Sequence, residues 1–333
     1  MASMDNADDL VSVILPAFNS VHFIGDTLRS ILAQTHRRIE IIVVDDGSTD
    51  GTAGVVETLS QTDQRIRLFR RANHGVPATR NFAAAQAQGT FLAPCDHDDL
   101  WRCDKIELQL GALRAAPPGA AVANCWSDGI DQTGAVIFPN WSRSKAEGSV
   151  LHEMIESSLP GSGSAPLIPR SCFEDVGGYP ENISSGDEWH LYIALAAKYQ
   201  FVLVPECLVG YRLRTSSLSN DFGKVERSLA RTTEWIVATW PQTPGSVLRR
   251  RSYTVNCYLS FLATRNRRFF RALRYRLGAW RAYPANFPTL ETIGFILMML
   301  GEKIGVQRYY YRAWRKPARW PGATPDRCVS PTG

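Results

Sequence analysis

The chain has 333 residues, 44% hydrophobic and 21% charged, the composition of one large or two ordinary globular domains able to bury a full core. Its formal charge of +5 is uneven: from Arg265 onward fourteen Lys or Arg stand against Glu291, Glu302 and Asp326, so everything before that point is net acidic. Seven scattered cysteines with no Cys-x-x-Cys pair argue against a disulfide framework or a zinc site and for a reducing compartment.

Residues 1–9 are polar and acidic and predict a disordered start without a signal peptide. Val11-Ser-Val-Ile-Leu15 reads as a buried strand stopping at Pro16. Ile24, Leu28, Ile31 and Leu32 follow at helical spacing. Ile39 to Val44 is a β-branched strand ending in Asp45-Asp46-Gly-Ser-Thr-Asp-Gly51, and Val55, Val56 and Leu59 mark the next helix. Ile66 to Phe69 is a short strand, Pro77 to Gln88 an Ala-rich helix closed by Gly89, and Thr90 to Ala93 the strand that delivers Asp96-His97-Asp98-Asp99. Strands alternating with helices of this length predict a doubly wound, mostly parallel α/β sheet. Ligands of such sheets bind beyond the carboxyl ends of the strands.

Those ends carry Pro16-Ala17-Phe18-Asn19, Asp45-Asp46, and the acidic run from Asp96. Three carboxylates within four positions repel one another unless a cation or a donor-rich partner compensates them. Mg2+ and Mn2+ take oxygen ligands, commonly one or two carboxylates with substrate phosphates. An acidic turn capping the following helix is the plainer alternative, and Ser48 or Asp50 would cap the helix after Asp45-Asp46 in the same way. The first strand lacks Gly-x-Gly-x-x-Gly, and no Gly-x-x-x-x-Gly-Lys-Ser/Thr occurs, which speaks against a dinucleotide site and a common NTPase loop.

Four segments in order, Val11 to Asn19, Ile42-Val-Val-Asp-Asp-Gly-Ser-Thr-Asp50, Asn73-His-Gly-Val-Pro-Ala-Thr-Arg-Asn81 and Phe91 to Trp101, resemble glycosyltransferase family 2, inverting nucleotide-sugar-dependent enzymes of the GT-A fold. The resemblance covers about residues 10 to 218. It implies that Asp46, with Asp45, binds the base, that Asp96 faces the ribose and that Asp98, with Asp96, holds a divalent Mg2+ or Mn2+ on the diphosphate. Pro16, Ala17 and Phe18 would line the nucleotide pocket. Arg80 matches the family's Ala-Arg-Asn arginine near the nucleotide, although Thr79 stands where Ala is usual; a helix-surface Arg is the alternative.

The second half begins after the break at Ala115-Ala-Pro-Pro-Gly119, the helix before it carrying Trp101, Ile106, Leu108 and Leu110. Ala121 to Asn124 and Ala135 to Phe138 read as strands around a turn at Asp131, and Asn140 to Gly148 as a loop. Leu159 to Pro166 is Gly/Pro/Ser-rich and reads as mobile. Phe173-Glu-Asp-Val-Gly-Gly-Tyr-Pro180 resembles the family's Val-Gly-Gly-Phe signature. Asp187-Glu188-Trp189-His190 opens a helix, where two acids suit the macrodipole. The family usually writes Glu-Asp-Trp-Asp there, its second acid being the catalytic base. By position Glu188 is that base, with Asp187 as the substitute. His190 replaces an Asp and either supports the site or sits on the helix surface. Phe201 to Val204 and Leu208 to Leu213 read as paired strands around Pro205. Arg212 and Arg214 are diphosphate candidates, since a guanidinium grips phosphate, weighed against surface salt bridges; Trp189 and Asp99 complete the diphosphate and acceptor candidates.

Beyond Phe222 the sequence turns helical and Arg-rich. Arg265 to Arg281 interleaves aromatics and Leu with seven arginines, Leu290 to Leu300 is strongly apolar, and Tyr309 to Trp320 is aromatic and cationic. Such helices suit an anionic lipid interface or simple packing on a catalytic domain; nucleic acid is disfavoured because no recognition motif is present. No apolar run reaches the ~20 residues that span a bilayer. The expectation is a catalytic domain over 10–220 (nucleotide half 10–115, acceptor half 116–220), a basic helical extension over 221–320 and a disordered tail over 321–333. The corresponding function is transfer of a sugar from a nucleotide-diphosphate donor, a UDP-sugar first, to a hydroxyl of a glycan or lipid-linked acceptor in cell-surface polysaccharide or glycolipid synthesis. Its place would be cytoplasmic, at the inner face of the membrane. An inactive nucleotide-sugar-binding scaffold and a nucleotidyltransferase are the alternatives.

Overall fold

The computed structural model describes residues 9–157, 161–214 and 221–284. Its contacts divide the described residues into two units, one of 9–154 with 161–214, the other of 155–157 with 221–284.

The first unit is built on the alternation visible in the sequence. β1 (Val11–Ala17), β2 (Ile39–Asp45), β3 (Ile66–Arg70) and β4 (Phe91–Pro94) pair in parallel, and the two-residue β8 (Ile168–Pro169) closes one edge antiparallel, in the order β3-β2-β1-β4-β8. Every residue of β1 and β2 is buried, as expected of central parallel strands covered on both faces. α1 (Ile24–Leu32), α2 (Thr52–Thr62) and α3 (Val76–Ala85) are the crossovers. Ile24, Leu28 and Ile31 of α1 join Val11, Val13, Leu15, Ile41 and Val43 in one core. β1 does not stop at Pro16 but pairs with β2 through Ala17 opposite Asp45. Pro16 lies beyond Ile14, where pairing with β4 ends, so its missing N–H costs that ladder nothing.

Gly89, just before β4, fits because it lacks a side chain: a Cβ there would lie 2.5 Å from the Leu10 carbonyl and 2.9 Å from the Ser12 nitrogen. Backbone cannot yield as a side-chain tip can. Gly89→Ala is expected to destabilise the chain by roughly 1–3 kcal/mol, read as a lowered urea midpoint.

A second sheet, in the order β5-β9-β6-β7, holds β5 (Leu100–Trp101), β6 (Ala120–Ile130), β7 (Val136–Ser142) and β9 (Gln200–Arg212). Three expectations are corrected here. Leu100 and Trp101 are not helical: they pair antiparallel with Gly210 and Val209, and the helix α4 starts at Lys105 and ends at Ala115. The two strands expected around Pro205 are one, β9, which pairs in parallel with β6. Its register jumps from Cys125–Val204 to Trp126–Cys207, so Pro205 sits in a bulge where no ladder donor is required. β7 also runs on to Ser142, into the stretch read as a loop. α5 (Leu151–Glu156) follows β7 in the chain, and α6 (Arg170–Asp175) and α7 (Asp187–Ala196) complete this unit.

The second unit contains α8 (Phe222–Thr239), α9 (Gly245–Arg265) and α10 (Phe269–Ala282). Asp221 caps α8, its Oδ1 accepting from the nitrogens of Gly223 at 3.0 Å and Lys224 at 3.1 Å. α9 and α10 approach closely at Gly278, where a Cβ would lie 2.6 Å from the Asn256 side chain. No described helix is long and apolar enough to cross a membrane. The expectations for Leu290–Leu300, Tyr309–Trp320, the N-terminal residues before 9 and the C-terminal tail fall outside the described residues.

Candidate active site

The register of the first sheet sets the acids at one edge. Ala17 is level with Asp45, Asp46 donates its N–H to the Ala17 carbonyl at 2.8 Å, and Cys95 donates to the Ile14 carbonyl at 3.0 Å. β2 and β4 flank β1, so their ends lie about 10 Å apart, two strand spacings. Pro16 and Ala17 belong to β1, and Phe18 just beyond it is 43% exposed.

Asp45 and Asp46 are both buried but held differently. Asp45 Oδ1 accepts from the Ser48 nitrogen at 3.0 Å. Asp46 accepts from the nitrogens of His74 at 3.0 Å and Gly75 at 2.9 Å, in the turn that enters α3. Asp50 accepts from the nitrogen of Thr52 at 3.0 Å, a local bond at the start of α2.

The acidic run after β4 is tied by three groups. Arg80, 4% exposed on α3, donates from Nη2 to Asp96 Oδ1 at 2.5 Å and from Nη1 to Asp187 Oδ2 at 2.7 Å. The same Nη1 lies 4.0 Å from Glu188 Oε2, and the guanidinium stacks 5.1 Å from the centre of the Tyr179 ring. Arg214 Nε meets Asp98 Oδ2 at 2.5 Å, and Arg214 Nη2 lies 3.2 Å from His97 Nε2. Ser164 donates its hydroxyl to Asp99 Oδ2 at 2.6 Å and accepts from the Asp96 nitrogen at 2.9 Å. Arg80 therefore joins the strand end bearing Asp96 to the helix start bearing Asp187 and Glu188, residues 107 and 108 positions further along the chain.

The two acids of α7 have different surroundings. Asp187 is buried and bonded to Arg80. The Glu188 side chain keeps 33% exposure, and burial, followed by the negative charge of Asp187, pushes its carboxyl up to about 8. Asp99 is buried and held well above the usual carboxylate range by burial and then by Asp98 and Asp96.

Two candidates are occupied as braces. Arg212 is 3% exposed and spends its guanidinium on the carbonyls of Asp98 at 2.7 Å and of Asp131 and Gln132 at 2.8 Å. Its nitrogen also donates to Asp99 Oδ1 at 3.0 Å. Trp189 turns inward, its indole donating to the Met154 carbonyl at 2.6 Å. His190 is half-buried on α7.

Ser164, Gly163, His97 and Tyr179 were not singled out from the sequence. A Cβ on Gly163 would lie 3.1 Å from Arg80 Nη2 and 3.4 Å from Asp96 Oδ2, and residues 162–166 are buried. This corrects the expectation of a mobile Gly/Ser segment for the part described; residues 158–160 lie outside it. Gly163→Ala is expected to lower turnover several-fold by crowding the Arg80–Asp96 pair, while circular dichroism stays unchanged.

Among the described residues no three His, Cys, Asp or Glu side chains converge as an all-protein metal cage. The chemistry here does not require one, because Mg2+ and Mn2+ are commonly held by one or two carboxylates plus substrate phosphates. Asp96 and Asp98 supply hard oxygen donors of that kind, and the hydrogen bonds and ion pairs described for their side chains use one oxygen of each. The residues present fit a divalent cation.

Residues 12–157 match the model of glycosyl transferase family 2. TuaG of Bacillus subtilis, named for teichuronic acid biosynthesis, is 30% identical over 235 residues, covering 67% of this chain and 87% of that protein. The chain belongs to glycosyl transferase family 2. An uncharacterized glycosyltransferase of Rickettsia felis is 33% identical over 202 residues, 60% of this chain; the match spans about a third of the length of that relative and of its Rickettsia conorii counterpart. Among solved structures, TarS 1-349 of S. aureus superposes with a TM-score of 0.58 at 16% identity, over 89% of this chain and 92% of that one. The mannosyltransferase PcManGT of Pyrobaculum calidifontis, in complex with GDP-Man and Mn2+, superposes with a TM-score of 0.60 at 19% identity, over 94% and 84%. Both likenesses concern the GT-A fold. In this chain Asp45 ends β2, Asp46 follows it, and the Asp96–Asp98 pair follows β4.

Proposed function

We propose that the protein is a divalent-metal-dependent inverting glycosyltransferase that moves a sugar from a nucleoside-diphosphate donor to a hydroxyl of a glycan or lipid-linked acceptor. The observation that carries this reading is the Arg80 guanidinium, which holds Asp96 and Asp187 and lies beside Glu188. Donor acids and base belong to one connected cluster. TarS has been solved with UDP and with UDP-GlcNAc, and PcManGT with GDP-Man, which supports a nucleotide sugar; a UDP-sugar is the first donor to try.

Asp46 and Asp45, with Pro16, Ala17 and Phe18, receive the base. Asp96 faces the ribose. Asp98, with Asp96, would hold the cation, whose bound charge makes the diphosphate a better leaving group. Arg214 then turns from Asp98 to the phosphates, where a guanidinium binds two oxygens at once. Arg212, Asp99 and Trp189 brace the site instead of touching the ligand. Glu188 takes the proton of the acceptor hydroxyl as that oxygen attacks the anomeric carbon from the face opposite the diphosphate. Asp187 stays paired with Arg80 and leaves the proton transfer to its neighbour. The altered order, Asp-Glu for the family's Glu-Asp, keeps an acid at the base position with one more methylene of reach.

The experiment is release of free nucleoside diphosphate from a panel of UDP- and GDP-sugars with Mn2+ or Mg2+, with and without acceptor. Acceptor-dependent release supports the enzyme. Binding without any release supports the scaffold reading. Asp98→Asn is expected to raise the apparent Kd for the nucleotide by at least tenfold, about 1.4 kcal/mol, and to erase its metal dependence, both measured by calorimetry. A base raised to about 8 must lose its proton to act, so kcat/KM for acceptor rises with pH, is half-maximal near pH 8 and levels off about one unit above it. A profile flat from about pH 6 to 9 contradicts Glu188 as the base.

Attachment to an anionic membrane surface is part of the reading. On α10, Phe270 is 94% exposed, Leu273 50% and Leu277 41%, spaced i, i+3 and i+7 among arginines. Such a face lies readily in a charged lipid interface. Phe270→Ser with Leu273→Ser is expected to abolish co-flotation with phosphatidylserine-containing vesicles; unchanged flotation counts against it.

A further inference from the structure

The edge strand β7 carries a feature that the proposed chemistry leaves unused. Three residues of β6, Ser127–Gly129, face five of β7, Phe138–Ser142. The surplus is taken up at Asn140, whose φ of 56° is left-handed. Asn enters that region more readily than other non-glycine residues, and residues held there collect at binding sites. Here the surplus brings Phe138 and Trp141, which strict alternation would send to opposite faces, to a ring separation of 5.6 Å at 46°. Both are exposed, Phe138 by 37% and Trp141 by 48%. Polar groups flank the rings: Arg143 donates from Nε to Asn140 Oδ1 at 2.8 Å and stacks 5.0 Å from the centre of Trp126.

The bulge is continuous with the acidic cluster at both ends. A Cβ on Gly129 would lie 3.1 Å from Phe138 and 3.1 Å from Leu213, and Leu213 immediately precedes Arg214, the partner of Asp98. A Cβ on Gly161 would collide with the Ser142 side chain, and two residues on, Gly163 lies against Arg80 and Asp96. Two residues of chain reach at most about 7 Å.

We propose that Phe138 and Trp141 form a platform for the acceptor saccharide, a subsite that binds a sugar ring beyond the one that accepts the new bond. It rests on the reading of the protein as a glycosyltransferase. A pyranose presents a face of C–H groups to an aromatic ring and a rim of hydroxyls to side chains such as Asn140 and Arg143. A second protein is the poorer occupant: two rings bury about 150–250 Å² each, well short of the ~800 Å² per partner of a stable interface.

The full chain, Trp141→Ala and Trp141→Phe are compared on an array of bacterial cell-wall and capsular oligosaccharides, with the thermal shift produced by UDP and Mn2+ and with light scattering in parallel. The expected result is binding of at least one oligosaccharide by the parent chain, roughly tenfold weaker in Trp141→Ala and largely kept in Trp141→Phe, with the same nucleotide shift in all three. Absence of oligosaccharide binding by the parent chain, or equal binding by Trp141→Ala, overturns the proposal. So does a dimer that Trp141→Ala dissociates, since a second copy then occupies the face. A parent chain that gives no nucleotide shift strikes at the glycosyltransferase reading instead, while the oligosaccharide comparison at Trp141 still decides the subsite.

Discussion

Replacing Glu188 by Gln lowers kcat by about 10²–10⁴-fold, the usual contribution of a positioned general base, and leaves the affinity for nucleotide unchanged. The side chain keeps its shape and loses only the capacity to take a proton. Asp187 cannot substitute, because its carboxylate is buried and committed to Arg80 at 2.7 Å. Asp187→Asn therefore has a different signature: it loosens Arg80, so donor affinity changes along with kcat. A steady-state comparison of the two variants separates base from brace. Equal losses, or a larger loss of kcat for Asp187→Asn, would transfer the base role to Asp187. Stability moves with pH in a defined direction as well. Glu188 is raised in the folded chain, so the fold retains a proton that the unfolded chain releases. Its contribution is fully present below the ordinary carboxylate pKa and is lost as pH rises towards about 8. Glu188→Gln removes that slope, which urea titrations at several pH values read directly.

Arg80→Met has the largest expected effect on the fold of the site. Removing one partner of a buried ion pair leaves the other charge uncompensated, a loss of about 3–5 kcal/mol. Here two carboxylates are stranded, Asp96 and Asp187, with Glu188 close behind. The variant is expected to melt several degrees lower and to lose donor binding and turnover together. Adding Asp187→Asn to Arg80→Met returns part of the stability without returning activity, since the buried charge is then removed but the cluster is not rebuilt. A single variant as stable as the parent contradicts the role of Arg80 as the link between donor acids and base. Arg80→Lys tests geometry against charge: an ammonium cannot span two carboxylates as a planar guanidinium does, so turnover stays low although the charge is kept.

The parallel sheet was legible because buried β-branched strands and amphipathic helices alternate with short connections, and because the acids sit where the strands end. What the sequence concealed is tertiary. Leu100 and Trp101 carry helix-compatible side chains, yet a partner strand more than a hundred residues away takes their backbone bonds. Pro205 reads as a break, but a bulge absorbs it and β9 runs on. Residues 162–166 have the composition of a loose linker, while Ser164 is fixed by Asp99 and the Asp96 nitrogen. In the site, position in the family motif pointed to Arg80, Asp96, Asp98 and Glu188. It could not show that Arg212 is spent on three main-chain carbonyls or that Trp189 turns inward. Those are facts of packing, and a one-dimensional pattern carries no trace of them.

The most direct measurement is a crystal structure of the full chain with UDP and Mn2+. The account predicts the base against Asp46, the ribose at Asp96, the ion between Asp98 and the diphosphate, and the Glu188 carboxylate on the side where an acceptor hydroxyl would approach. A nucleotide bound elsewhere, or one bound here with its diphosphate turned away from Asp98, would contradict it.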